Sequence, residues 1–193
     1  MVQDLIRTLE RAVENLDRLG IRYVIGDSLA SSAHGEPRPS GDADLVVDLS
    51  EAGIPGLIAA FQGEFYVSES AAREAVARQT SFNLVHFGTV LKLDFFVAGH
   101  VPLRRLQLDR GRPGVVDPSS SRKMLVSTPE DIVLQKLDWY RKGGGVSDLQ
   151  WRDIQGVLKL QGTGLDRAYL DSVASQAGLE DLLARAMRQA GLR

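Results

Sequence analysis

The chain has no cysteine among its 193 residues. Disulfides, a thiol nucleophile and a cysteine-based zinc site are therefore excluded. Histidine is also scarce: His34, His86 and His100 sit at a helix end, in a hairpin and after a glycine. None has a second histidine at metal-ligand spacing, and none has a sequence-level reason to meet a serine as a Ser-His-Asp triad requires. No stretch is long and apolar enough to span a bilayer, and the start Met1-Val2-Gln3-Asp4 lacks a basic region followed by an apolar run. Cytoplasmic residence without a membrane partner is the expectation. A large charge of one sign is missing as well: the formal net charge of −2 argues against bulk electrostatic binding to nucleic acid and leaves room only for a local patch. No repeat of solenoid period occurs.

What is present reads as alternating helix and strand, followed by helix alone. Leu5, Leu9, Val13 and Leu16 give an amphipathic helix over 2–19 with Gly20 as its stop. A strand over 22–26, a helix from 28 and a strand over 42–48 follow; 53–61 and 70–78 read as helices, and 81–87 with 90–97 as two strands of a hairpin. Residues 101–123 are interrupted by Gly111, Pro113, Gly114, Pro118 and a run of serines. Thr128-Pro129-Glu130-Asp131 then opens a helical region with an N-cap, a proline at N1 and acids in the first turn. The expected organisation is α+β, a mixed sheet flanked by helices over 1–127, with a helical region over 128–193 packed on it.

Two aspartates carry the chemistry. Asp42 and Asp44 lie one residue apart in a strand, so they point to the same face while Ala43 and Leu45 turn to a core. Asp94, in the strand run LKLDFFV, would join that face if its strand paired beside the first. Three carboxylates so close repel one another unless a cation neutralises them, and Mg²⁺, an oxygen-seeking ion held by carboxylates and substrate phosphates, is the natural candidate, with Mn²⁺ beside it. Upstream, Tyr23-Val24-Ile25 runs through Gly26-Asp27-Ser28 into a helix, and exposed N–H groups at such a junction suit a phosphate. Ser28 would serve as N-cap or as a hydroxyl donor to a phosphate oxygen. Asp48, on the same parity as Asp44, more simply ends the strand.

At Ser28, Asp42, Asp44 and Asp94 the chain resembles the nucleotidyltransferases of the DNA polymerase β superfamily, whose pattern is a Gly-Gly or Gly-Ser turn, Asp-x-Asp on a strand and a third acid on a neighbouring strand. The wording SLASSAHGEPRPSGDADLVVDL, KLDFF, STPEDIVLQKLDWY and WRDIQGVL, spread over most of residues 20–160, is similar to small bacterial nucleotidyltransferases related to the abortive-infection toxins of type IV toxin-antitoxin systems. The resemblance implies a polymerase-β-like fold and transfer of a nucleotide from a nucleoside triphosphate, with Asp42, Asp44 and Asp94 as metal ligands and Asp94 as general base. It implies Gly26 and Ser28 as the phosphate turn, with Arg38 or Lys136 adding positive charge. It also implies an RNA or protein acceptor and an antitoxin partner. Asp27 departs from the pattern, which expects glycine there. A carboxylate turned into the phosphate turn would repel a triphosphate; one turned outward would be an ordinary helix-start acid.

Other features have two readings. Arg104, Arg105, Arg110, Arg112, Arg122 and Lys123, against only Asp109 and Asp117, could hold the phosphates of an RNA acceptor or form a solvated loop. Lys136 could face the site or the solvent. Asp148, Arg152 and Asp153 resemble the family's acidic helix, or form an ion-paired surface. Trp139 and Trp151 are expected in the packing between helices, with stacking on a base as the alternative. Beside nucleotidyl transfer stand a noncatalytic binding module on the same fold, which Asp27 favours, and an antibiotic-modifying nucleotidyltransferase, which would want an acidic acceptor cleft.

Overall fold

The computed structural model describes residues 2–117, 120 and 122–192. The first helix, α1 (Val2–Leu19), buries Leu5, Leu9, Ala12, Val13 and Leu16. It stops at Gly20, whose φ of +65° is a left-handed C-terminal conformation that favours glycine. Chain order then gives β1 (Tyr23–Ile25), α2 (Asp27–His34), β2 (Asp42–Val47), α3 (Ile54–Phe61), β3 (Phe65–Val67), α4 (Glu69–Arg78), β4 (Ser81–His86) and β5 (Lys92–Val97). After these come α5 (Pro102–Arg110), β6 (Arg112–Gly114), β7 (Met124–Val126) and the helices α6 (Pro129–Lys142), α7 (Asp148–Gln161), α8 (Arg167–Ala177) and α9 (Glu180–Gln189).

The strands make one mixed sheet in the order β3-β4-β5-β2-β1-β7-β6. Strand β2 pairs parallel with β5, in the register Asp42↔Lys92, Asp44↔Asp94 and Val46↔Phe96. Period-two alternation divides these two strands between faces. Ala43, Leu45 and Val47 with Leu93, Phe95 and Val97 are buried in the main core shared with α1 and α3. Asp42, Asp44 and Asp94 share the opposite face with Val46 and Phe96, which pack with Val24, Ala98 and Leu108 of α5 in a second, smaller cluster.

The main apolar cluster runs on through Ile132, Leu137, Ile154, Val157 and Leu170 of the later helices. A close crossing fixes α7 against the end of α2. A Cβ on Gly35 would stand 2.8 Å from the Val157 backbone nitrogen, so only glycine permits the approach. Helix α6 begins as its sequence expects, with Thr128 Oγ1 accepting from the Asp131 N–H at 3.3 Å. Within 101–123 the structure differs from the expected interruption: α5 fills 102–110 and β6 follows. Pro102 stands at the helix start, where a missing N–H costs nothing. The proposed break at Pro118 and the serine run lies, apart from Ser120, outside the described residues. Among the described residues no helix is long and apolar enough to cross a membrane.

Candidate active site

The two-residue spacing of Asp42 and Asp44 and the parallel pairing of β2 with β5 place three carboxylates on one sheet face, with Asp44 directly opposite Asp94. Asp44 is strongly perturbed. Burial first, then the charges of Asp27, Asp42 and Asp94, push its carboxyl up to about 7 against a weaker opposing pull from Lys136. At neutral pH the cluster is thus short of positive charge. Lys92, two residues before Asp94 on the same face, gives its ammonium to Asp94 Oδ2 at 2.8 Å and is itself held more basic, first by that bond.

The Gly26–Ser28 turn, expected to hold phosphate, lies beside Asp44. Gly26 donates its N–H to the Asp44 carbonyl at 2.9 Å, locking the end of β1 to β2. The helix begins one residue earlier than the sequence suggests: Gly26 is the N-cap and makes no side-chain cap, so Ser28 lies inside the first turn and is not the cap. The Ser28 hydroxyl instead meets Ser40 Oγ at 2.8 Å, and Ser40 Oγ donates to the Asp42 carbonyl at 3.0 Å and to Asp42 Oδ1 at 3.2 Å. Ser40 was not marked by the sequence pattern. Its position two residues before Asp42 is the only signal that could have found it.

Asp27 points inward. Its φ of +39° puts a non-glycine residue in the left-handed region, which aspartate tolerates better than most. Its carboxylate is ion-paired with the Lys136 ammonium. Lys136 is 1% exposed and also donates to Asp153 Oδ2 at 2.9 Å and Gln150 Oε1 at 3.1 Å. Asp153 in turn receives Arg38 through two parallel bonds, Nε and Nη2, at 3.0 Å each. Burial works to raise the Asp153 pKa, but the bonds from Arg38 and Lys136 bring it below the ordinary value. Arg38 and Lys136, expected as phosphate-binding cations, are thus tied into one chain, Asp27–Lys136–Asp153–Arg38. The Gly35 crossing is what brings Asp153 of α7 into it.

The donors fit a hard divalent cation by chemistry, being carboxylate oxygens of which Asp44 is partly buried and insufficiently neutralised. Among the described residues, however, no three His, Asp or Glu side chains already converge as a ligand set. Asp94 is committed to Lys92 and Asp27 to Lys136.

The basic segment proves to be mostly structural. Arg104 donates to the carbonyls of Gln79 and Val97 at 2.7 and 2.8 Å. Arg105 pairs with Asp48 at 2.7 Å, Arg110 with Asp131 at 3.2 Å, and Arg122 with Glu14 at 2.9 Å. Trp151 packs on Tyr140 under the Arg185 guanidinium, but Trp139 is 42% exposed, against the expectation of a core position. It stands edge-on to Phe96, with ring centroids 5.8 Å apart, at the end of the carboxylate face.

No family model and no curated protein matches the sequence. Solved structures share its architecture. The antibiotic-resistance factor ANT(2″)-Ia in solution superposes with a TM-score of 0.60 over 98% of this chain and 100% of that one, at 13% identity. Its crystal structure with adenylyl-2″-tobramycin gives 0.59 over 92% and 99%, at 14% identity. An antigenic nucleotidyltransferase-like protein from Paracoccidioides brasiliensis gives 0.54 over 96% and 93%, at 19% identity. The fold is that of the polymerase-β-like nucleotidyltransferases. At these identities the likeness extends to the fold alone, and chemistry has to be argued from the side chains.

Proposed function

We propose that the protein is a metal-dependent nucleotidyltransferase that moves an NMP from an NTP to an acceptor hydroxyl. The observation that carries this reading is Asp44 in register with Asp94, with Asp42 on the same face, beside the N-terminus of α2. Asp42, Asp44 and Asp94 supply the oxygen donors for Mg²⁺ or Mn²⁺, which when bound neutralises phosphate charge and makes the acceptor hydroxyl more acidic. Ser28 and the N–H groups of the first turn of α2 hold the β and γ phosphates. Lys136 adds charge there once the triphosphate competes with Asp27 for it, and Arg38 keeps Asp153 in place behind it. The acceptor oxygen attacks the α-phosphorus in line, the α–β bridge breaks, and pyrophosphate leaves. Asp94, released from Lys92, takes the hydroxyl proton.

A toxin-like enzyme acting on RNA and restrained by an antitoxin would draw on the basic segment. With Arg104, Arg105, Arg110 and Arg122 committed within the fold, that support falls to the exposed Arg112 and Lys123. A small hydroxylated acceptor, as in the neighbour crystallised with adenylyl-2″-tobramycin, is the reading we favour. The inward Asp27 supports a second reading, a nucleotide- or protein-binding module without chemistry.

Purified protein with Mg²⁺ or Mn²⁺ and α-labelled NTPs should transfer label to an aminoglycoside panel or to cellular RNA, and Asp42→Asn with an intact fold should not. Labelling that persists in the variant would assign the activity elsewhere, and absence of both labelling and nucleotide binding would leave the binding module.

A further inference from the structure

Beside the carboxylates, one recess is lined by two glutamines that each carry a buried polar atom without a hydrogen-bond partner: Gln107 Nε2, a donor, and Gln135 Oε1, an acceptor. Gln107 comes from α5 and is 1% exposed; Gln135 comes from α6. The recess has a free volume of about 30 Å³ and is bounded by Asp27 and Asp44 on one side and by Phe96 and Trp139 on the other. A cleft of about 410 Å³ between α5, α6 and α8 adjoins it, and Arg104, Gln135 and Trp139 line both spaces.

Native proteins rarely leave a buried amide atom unpaired, so a partner from outside the chain is expected here. The volume beside the amides would admit a single water. Three observations point to something larger. The recess shares three lining residues with a cleft of ligand size. It begins at Asp44, where the α-phosphate belongs in the transfer reading. Trp139, exposed although a tryptophan, supplies an aromatic surface at its mouth. Asp27 and Asp44 make the recess unfavourable for an anion, and Arg104 Nη1 is engaged by the carbonyls of Gln79 and Val97. The unpaired groups are one neutral donor and one neutral acceptor, and Trp139 adds an indole beside them. A phosphate or carboxylate would use only the donor, and a hydrocarbon would leave both amides unpaired. The edge of a nucleobase presents an acceptor next to a donor, and its face stacks on aromatic rings.

We propose that the recess and the mouth of the cleft bind the nucleobase of the NTP, with Gln107 Nε2 donating to an edge acceptor, Gln135 Oε1 accepting from the neighbouring N–H, and Trp139 lying against the ring. The proposal rests on the nucleotidyl-transfer reading and assigns its base-recognition residues. These residues would decide which NTP is used, while the Ser28 turn holds the triphosphate common to all four.

Calorimetric titration in Mg²⁺ with the α,β-methylene analogues of ATP, GTP, CTP and UTP, and with tripolyphosphate, tests it. Wild type should bind one analogue at least ~10-fold more tightly than tripolyphosphate. Gln107→Leu and Gln135→Leu should each lose about 10-fold for that analogue, equivalent to about 1.4 kcal/mol, with tripolyphosphate affinity unchanged. Leucine fills a similar volume and removes an unpaired buried atom, so melting temperature should hold in Gln107→Leu; Gln135 is only partly buried and provides a second variant that does not depend on it. Unchanged affinity for all analogues in both variants would overturn the proposal, leaving a structural water in the recess. Equal losses for tripolyphosphate would overturn it too, because the amides would then act through the fold. Wild type that binds tripolyphosphate as tightly as every nucleotide removes the base subsite but keeps the phosphate turn, whereas wild type that binds neither ligand removes the nucleotidyl-transfer reading itself.

Discussion

Replacing Asp44 by asparagine should stabilise the protein when divalent ions are chelated, and the gain should grow with pH. The Asp44 carboxyl titrates near 7 in the folded chain against an ordinary 3.8. A raised carboxylate pKa means the folded state binds the proton more tightly than the unfolded one, so stability falls as pH rises from the lower value to the higher. A shift of about three units at about 1.36 kcal/mol each sets an upper bound of roughly 4 kcal/mol. The site opens to solvent and its polar groups relax around the charge, so about 2 kcal/mol is the working value. Linkage puts about a third of the full effect at pH 5 and nearly all of it at pH 8. For a chain of this length about 2 kcal/mol corresponds to a melting shift of roughly 4–8 °C. Thermal unfolding of wild type and Asp44→Asn in EDTA at both pH values measures the difference, and Mn²⁺ at pH 8 should stabilise wild type but not the variant. A variant that melts lower than wild type by the same amount at both pH values would refute the reasoning, since a packing or hydrogen-bond loss would then dominate.

Asp27→Gly removes one negative charge from the phosphate turn, frees Lys136 and relieves a positive φ. At an effective dielectric of about 20 and a separation of about 6 Å one charge pair is worth roughly 3 kcal/mol before screening, so a ~10-fold gain in affinity for a nonhydrolysable NTP is expected by calorimetry. Equal affinities in the two proteins would mean that Lys136 already neutralises the aspartate. Lys136→Met leaves Asp153 with Arg38 alone and Asp27 without its cation, and should cost about 3 kcal/mol in urea unfolding, the low end for breaking a buried pair; a loss under 1 kcal/mol would show that Arg38 alone satisfies Asp153. Lys92→Gln takes a competing cation from Asp94 and should tighten Mn²⁺ binding several-fold in the absence of nucleotide, read by electron paramagnetic resonance; weaker binding would mean that Lys92 helps to assemble the cluster.

The elements that the sequence made legible are those whose side chains answer to one local period. Leu5, Leu9 and Leu16 mark α1, and the alternation through Asp42–Val47 and Lys92–Val97 marks the two central strands. The latter also placed Asp94 on the face of Asp42 and Asp44 once those strands were set side by side. The elements that escaped are short or irregular. Strands β3, β6 and β7 have three residues each and, unlike the equally short all-apolar β1, no run of buried apolar residues to mark them. Helix α5, PLRRLQLDR, is so polar that it reads as a loop, because it buries only Gln107 and Leu108.

The candidate site divides along the same line. The carboxylates were legible because strand parity and one pairing suffice to bring them together. The cations were not, because their partners are set by tertiary contacts that no local rule encodes. Arg38 and Lys136 reach Asp153 only because Gly35 and Gly156 let α7 lie against the end of α2. The basic run was misleading for a related reason: its arginines find carboxylates of α1 and α6 and the Gln79 carbonyl, all far away in sequence. Asp27 joins the two halves. It breaks the expected glycine turn, yet in the fold it is ion-paired with Lys136 and holds that ammonium at the N-terminus of α2. The same substitution that weakens the sequence pattern therefore keeps an otherwise buried ammonium at the place where transfer would need it.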